Sequence, residues 1–337
     1  MNFEFSLITG KTVHGIVHAN VGECVKQVEA AYLAHGDGQS VNPDSYFLTF
    51  PEQPRNRIIA LPAHLGSHFD LSGIKWIASY PDNVRQGFPR ASAVLILNSA
   101  RTGYPFACME ASIISAARTA GSAVLAAQWL NGGARRARCL GLVGNGLIAR
   151  YIYSFLLAMG WELDEVLLHD MMPGEAERFA SEVCRPERHR RVRVASSKEE
   201  LLRQSDLIVL ATVAPTPHIH DESLLAHNPI VLNISLRDLA PELLLKSHNI
   251  VDDVEHVMKA DTSPHLAEKL SGGRTFITGT LPELIRGRCR VDRTRPTLFS
   301  PFGLGVLDLA VGKWVYDVAR DTGQAIRIDD FFFELTR

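Results

Sequence analysis

Apolar and polar positions divide this chain into two kinds of pattern. From about Arg138 to about Gly279, short apolar runs alternate with stretches of helical periodicity. The spacing predicts strands at Arg138–Val143, Glu165–His169, Val192–Ala195, Leu207–Ala211, Ile230–Ile234 and Asn249–Val251. Between the first four it predicts helices, such as Leu147–Leu157, Glu175–Val183 and Lys198–Arg203. Parallel strands need crossovers, and this alternation supplies them. The preceding region reads differently. Val25–Ala34 predicts a helix, then Tyr46–Thr49, Arg57–Leu61, Ile74–Tyr80 and Ala93–Asn98 predict strands with no helices between them, an antiparallel α+β pattern. A long helical pattern runs from Ala107 to Leu130 and ends at Asn131-Gly132-Gly133. Leu307–Ala319 is one more amphipathic helix, introduced by the turn Ser300-Pro301-Phe302-Gly303.

The link between the first strand of the alternating region and its helix is G-L-V-G-N-G-L-I-A, Gly141 to Ala149. In such a turn Gly144 permits the reversal and Gly146 lets backbone N–H groups approach a pyrophosphate. Ala149 lets the helix pack closely on the strand, and the helix N-terminus favours negative charge. The next strand ends in Asp170, about where an acid meets the adenosine ribose. An acid there accepts from both ribose hydroxyls and repels a 2′-phosphate, so NAD is expected over NADP. A solvated turn aspartate is the alternative. The expected fold is α/β, with a Rossmann dinucleotide-binding domain over 131–299 inserted between two halves of an α+β domain, 1–130 and 300–337. The active site is expected in the cleft between them.

Composition narrows the functional classes. The chain is 46% hydrophobic and 21% charged with a formal net charge of −2, so no global basic excess points to nucleic acid. The basic run Arg185–Arg193 lies between a predicted helix and strand and reads as a solvated loop. Five cysteines without C-x-x-C spacing fit thiols in a reducing compartment. The N-terminal sequence lacks a signal-peptide pattern, and no apolar run is long enough to span a bilayer. A cytoplasmic protein without nucleic-acid or membrane partners is expected. His218 and His220 are only two apart with no converging acid nearby in sequence, so no metal is expected.

Several polar residues interrupt apolar stretches, where burial without a partner is costly. Lys75 in S-G-I-K-W-I points opposite Ile74 and Trp76 if the segment is a strand, toward a core or a cleft; a snorkelling edge lysine is the alternative. Arg57 begins R-I-I-A-L-P, Arg90 precedes A-S-A-V-L-I-L-N, and Arg118 lies deep in A-S-I-I-S-A-A-R-T-A. Such arginines want an anion, from a ligand or from a partner carboxylate; for Arg118 the partner would be Glu110, two turns earlier. Thr119 would face the cofactor phosphates. His64 is either a ligand or a satisfied loop histidine. Asp238 lies just past the strand Ile230–Ile234, where open α/β sheets bind ligands. Thr212, just past the strand Leu207–Ala211, and Asp308, in G-L-G-V-L-D-L-A, are further cofactor-binding candidates.

Arg57, S-G-I-K-W-I, T-G-Y-P-F-A-C-M-E-A at Thr102–Ala111, A-A-R-T-A at Arg118, V-G-N-G-L-I-A and F-G-L-G-V-L-D-L-A together resemble the ornithine cyclodeaminase/μ-crystallin family. The resemblance runs in order along nearly the whole chain. It implies a Rossmann domain beside a substrate domain that forms a homodimer, with NAD(P) serving imine and amine redox chemistry on a small amino-acid substrate. R-I-I-A-L-P-A-H-L-G, I-K-W-I and R-A-S-A-V-L-I-L-N look most like the branch that makes 2,3-diaminopropionate, a siderophore or antibiotic precursor. That branch hydrolyses N-(2-amino-2-carboxyethyl)-L-glutamate oxidatively, giving 2-oxoglutarate and L-2,3-diaminopropionate. R-D-L-A-P-E-L at 237–243 departs from the longer Gly-Lys-rich turn of cyclodeaminases. Lys75 and Asp238 are then the expected catalytic residues, and Arg57, Arg90 and Arg118 the expected carboxylate holders. Ornithine cyclodeaminase, alanine dehydrogenase or ketimine reductase, and a cofactor-binding protein without catalysis are the other activities the family implies.

Overall fold

A computed structural model describes residues 4–333. The chain begins β1 (Phe5–Ile8), α1 (Gly10–Ala19), α2 (Val21–Gly36), β2 (Ser40–Val41), β3 (Tyr46–Phe50), β4 (Gln53–Leu65), β5 (Leu71–Ser79), β6 (Ala91–Ser99), β7 (Pro105–Glu110) and α3 (Ser112–Leu130). It continues through β8 (Arg136–Val143), α4 (Leu147–Ala158), β9 (Glu162–His169), α5 (Glu175–Glu182), β10 (Arg191–Val194), α6 (Lys198–Gln204), β11 (Leu207–Leu210) and β12 (Ile230–Asn233). Next come α7 (Pro241–Leu245), β13 (His248–Val251), α8 (Val254–Val257), α9 (Ser263–Ser271), β14 (Ile277–Thr280), α10 (Leu281–Ile285) and β15 (Thr297–Ser300). The last two elements are α11 (Gly305–Asp321) and β16 (Ile326–Ile328).

These elements fall into two compact units, one reaching to Arg118 and resuming at Leu304, the other Thr119–Gly303. The division cuts α3 near its middle and falls at 303/304, where the sequence pattern suggests 130/131 and 299/300.

The second unit is a doubly wound parallel sheet in the order β10-β9-β8-β11-β12-β15-β13-β14. Its central strands are apolar and buried along their length, as strands covered on both faces must be. The chain turns one way from β8 to β9 and the other way to β11, so the switch point lies beside the glycine turn.

In the first unit the sheet runs β16-β1-β7-β6-β5-β4-β2, with β3 also on β4. It is antiparallel except for the β1–β7 pair. The helix expected from Ala107 therefore starts later, because Pro105–Glu110 is a strand paired on both edges. Its burial alternates, with Ala107 and Met109 buried and Phe106 and Cys108 half-buried, a period of two inside a run too apolar to show it. α11 packs on β4, β5 and β6. Gly312 makes the close approach possible, since a Cβ there would sit 2.2 Å from Leu95 Cδ2.

Candidate active site

Strand register gathers the expected cations on one face of the first unit's sheet. Arg57 pairs with Ser79 across β4–β5, and Lys75 pairs with Leu61 and Leu95, so all of these side chains lie on the α11 side. Lys75 is 2% exposed, whereas its neighbour Trp76 on the opposite face is 43% exposed. A strand that buries a lysine and exposes a tryptophan is not satisfying hydrophobicity, and the lysine is held by specific partners. Lys75 Nζ donates to Asp308 at 2.7 Å and to Ser115 Oγ at 3.1 Å. Two of the three ammonium hydrogens are thereby used.

Asp308 is completely buried in the first turn of α11, where the helix N-terminus favours a carboxylate. Its Oδ2 accepts from Lys75 and its Oδ1 from Arg118 Nε at 3.3 Å. Asp308, expected among the cofactor-binding residues, thus lies in the cation cluster of the first unit. Arg118 finds its anion here and not at Glu110. The Glu110 carboxylate instead accepts from the Ser112 hydroxyl and from the backbone N–H groups of Ser112 and Ile113, capping α3. Burial is the largest influence on Lys75 and pulls its pKa down to about 8. The Asp308 charge opposes the fall and the Arg118 charge adds to it.

Arg90 donates to Ser79 Oγ at 3.0 Å, which brings it beside Arg57. Partial burial and the Arg57 charge lower the Arg90 pKa. Among the described residues neither guanidinium has an acidic partner within salt-bridge distance, so two cations face each other uncompensated at the open end of the sheet face. His64 is a satisfied histidine, its Nδ1 3.1 Å from Ser72 Oγ.

In the second unit the glycine turn is built for close approach. Gly144 has φ +85°, and a Cβ there would lie 2.7 Å from the Ala211 carbonyl oxygen and 3.0 Å from Thr212 N. Gly146 is the N-cap of α4. No side chain caps the helix, and a Cβ on Gly146 would meet nothing within 4 Å. An open turn with uncapped N–H groups is the cradle a pyrophosphate needs, so this turn fits a dinucleotide. Ala149 is fully buried against the sheet. Asp170, half-buried at the end of β9, accepts from Asn145 N at 2.6 Å and Met172 N at 2.9 Å, which ties the acid to the glycine turn. Thr119 lies half-buried on α3, next in sequence to Arg118.

Two expectations in this unit change. Asp238 has no exposed surface, and its Oδ1 accepts from Thr212 Oγ1 and from His218 Nε2, both at 2.5 Å. The Asp238 carboxylate is thus turned to partners within the protein. The Thr212 hydroxyl is spent as well, donating to Asp238 and accepting from Ala214 N at 3.1 Å. His218 and Lys198, joined at 2.9 Å, complete this network. Lys198 escaped the sequence reading, and His218 entered it only as a metal ligand set aside, because their partners lie about 20 residues away and no spacing rule links them. Among the described residues no group of three His, Cys, Asp or Glu could hold a metal, and no helix is long and apolar enough to cross a membrane.

Similar proteins share this architecture. The N-((2S)-2-amino-2-carboxyethyl)-L-glutamate dehydrogenase of Staphylococcus aureus is 28% identical, covering 88% of this chain and 90% of its own. The alanine dehydrogenase of Archaeoglobus fulgidus is 26% identical over 96% of this chain and 98% of its own. An archaeal alanine dehydrogenase dimer solved with bound NAD superposes with a TM-score of 0.84 at 27% identity, covering 97% of this chain and 100% of that one. The sequence profile of the ornithine cyclodeaminase/mu-crystallin family matches residues 10–323, and the chain belongs to that family.

Proposed function

We propose that this protein is an NAD-dependent oxidoreductase acting on the CH–NH bond of an amino acid. Its proposed reaction is the oxidative hydrolysis of N-(2-amino-2-carboxyethyl)-L-glutamate to 2-oxoglutarate and L-2,3-diaminopropionate. The observation that carries this reading is the charge balance on one sheet face. Arg57, Arg90 and Arg118 offer three guanidiniums for three substrate carboxylates, and Asp308 is the carboxylate that answers Lys75. Ornithine, with one carboxylate and a distal ammonium, would need fewer cations and an additional acid. The Staphylococcus aureus relative named for this substrate supports the choice.

Gly144, Gly146 and Asp170 would hold NAD, which when bound would supply the acceptor for a hydride from the substrate carbon that carries the amine. The remaining work belongs to side chains of this chain. Arg57 and Arg90 hold carboxylates at the open end of the face, and Arg118 holds one at the buried end. Neutral Lys75, accessible because its pKa is about 8, takes the proton of the secondary ammonium. The nitrogen lone pair this frees becomes the new C=N bond. Asp308 steadies the charge Lys75 acquires. Water then adds to the C=N carbon, Lys75 returns its proton to the nitrogen, and as the C–N bond breaks the two protons of the added water go one to the departing amine and one to solvent, leaving the 2-oxo acid. Asp170 favours NAD by accepting from the ribose hydroxyls and repelling a 2′-phosphate.

We also propose that the working form is a homodimer. The sheet face opposite Lys75 leaves Tyr46, Leu48, Trp76 and Val94 between 40% and 72% exposed, aligned by register across β3 to β6. The dimeric alanine dehydrogenase neighbour supports a second copy as the cover.

The test is direct. Incubation with the tricarboxylate and NAD should yield NADH, 2-oxoglutarate and 2,3-diaminopropionate in equal amounts. Proline and ammonia from ornithine, without net NADH and with no turnover of the tricarboxylate, would overturn the proposal in favour of cyclisation.

A further inference from the structure

One buried polar cluster of the second unit is not used by the chemistry above. It begins at Asp238, whose fully buried Oδ1 is shared by the Thr212 hydroxyl and His218 Nε2. The Asp238 backbone carbonyl also accepts from the N–H groups of His218 and Ile219, both at 3.0 Å. Lys198 Nζ, at the start of α6, donates to the His218 carbonyl at 2.9 Å and lies 2.9 Å from His218 Nδ1. Lys198 and Asp238 thus hold the two ring nitrogens of His218 from opposite sides. The second oxygen of Asp238 is buried without a partner. Enclosing a carboxylate this incompletely satisfied is costly, and a solvated turn would serve the fold as well.

What the cluster holds is the loop 212–218, and it holds both ends. Thr212 is the first residue of that loop and His218 the last. The loop leaves the carboxyl end of β11, next to β8 in the sheet, and starts against the glycine turn, where a Cβ on Gly144 would meet Thr212 N at 3.0 Å. Asp170, on the β9 side of the same turn, marks the adenosine side. A dinucleotide laid across the switch point extends its other half toward β11 and this loop. Pro215 and Pro217 stiffen the loop, and Val213, 76% exposed, is its most open apolar side chain.

We infer that Asp238, His218 and Lys198 are positioning residues that clamp the 212–218 loop to receive the nicotinamide half of the cofactor. The inference rests on the NAD reading above. It assigns Asp238 a place behind the cofactor, with no contact to substrate. Because the clamp acts on one half of the dinucleotide, its loss must separate NAD from ADP-ribose, which lacks the nicotinamide.

The experiment measures dissociation constants of NAD and of ADP-ribose by titration calorimetry on the full chain. The proteins compared are wild type, Asp238→Asn, Thr212→Val and Thr212→Ser. Thr212→Val removes the hydroxyl that anchors the loop entrance, and Thr212→Ser keeps it. The expected result is that Asp238→Asn and Thr212→Val weaken NAD about tenfold or more and leave ADP-ribose within about twofold. Thr212→Ser should stay close to wild type on both. Retained ADP-ribose binding shows that the variant is folded. Variants that lose both ligands alike, or lose neither, overturn the clamp while leaving the NAD reading intact. Wild-type protein that binds neither ligand overturns the NAD reading and the clamp with it.

Discussion

Replacing Lys75 by methionine tests the central feature of the site, a lysine kept in the core at an energetic cost. Burial holds its pKa near 8 against an ordinary 10.5. A folded-state value below the unfolded one means that the unfolded chain binds the proton more tightly. The resulting penalty is fully present below about pH 8 and fades as pH rises from there toward 10.5. At neutral pH the displacement corresponds to roughly 3 kcal/mol. Between pH 7 and pH 9 about 1 kcal/mol of it should be relieved. Lys75→Met keeps the side-chain volume and removes the titration, and Asp308 retains Arg118 at 3.3 Å. Urea unfolding at the two pH values should therefore show the wild type gaining about 1 kcal/mol on the variant as pH rises, other titrations cancelling in the difference. The variant should be inactive, and wild-type kcat/KM should rise through about pH 8 as Lys75 becomes neutral. A stability gap unchanged between pH 7 and 9 would refute the argument that burial depresses this lysine.

Two further outcomes follow from the same geometry. Arg118→Ala should raise the substrate KM by about 10- to 100-fold, the loss of one charge-assisted carboxylate contact, and leave the NAD dissociation constant unchanged; loss of NAD binding alone would give Arg118 a cofactor role instead. Wild-type turnover with NADP should be far below that with NAD, and Asp170→Ser should narrow the gap by removing the repulsion of a 2′-phosphate; equal turnover in the wild type would count against this role for Asp170.

The parts of the site that were legible in the sequence are those carried by local pattern. The glycine turn needs Gly144 at positive φ and a small Ala149 beneath it, requirements confined to nine residues that leave their mark in order. Alternation placed Lys75 opposite Ile74 and Trp76, and the strand register bears this out. The long pattern from Ala107 was misleading for a physical reason. A strand paired on both edges and buried is apolar nearly throughout, and its period of two vanishes into the helical signal that follows.

Partnership was the illegible part, because it is decided by which elements pack and not by spacing. Lys75 and Asp308 meet across 233 positions, after the chain has built the whole second unit and returned. Glu110, the nearer acid to Arg118, is unable to serve because its strand ends there and α3 needs its oxygens as a cap. Proximity in sequence therefore favoured the wrong carboxylate. The same reasoning separates Asp308 from Asp238, two completely buried acids that the sequence presents alike. Asp308 is met by two cations at the head of a helix that carries it onto the sheet of Lys75, and it can respond to a proton arriving there. Asp238 is met by a hydroxyl and by His218, at the two ends of one loop. What distinguishes the two acids is the partners they meet rather than their burial.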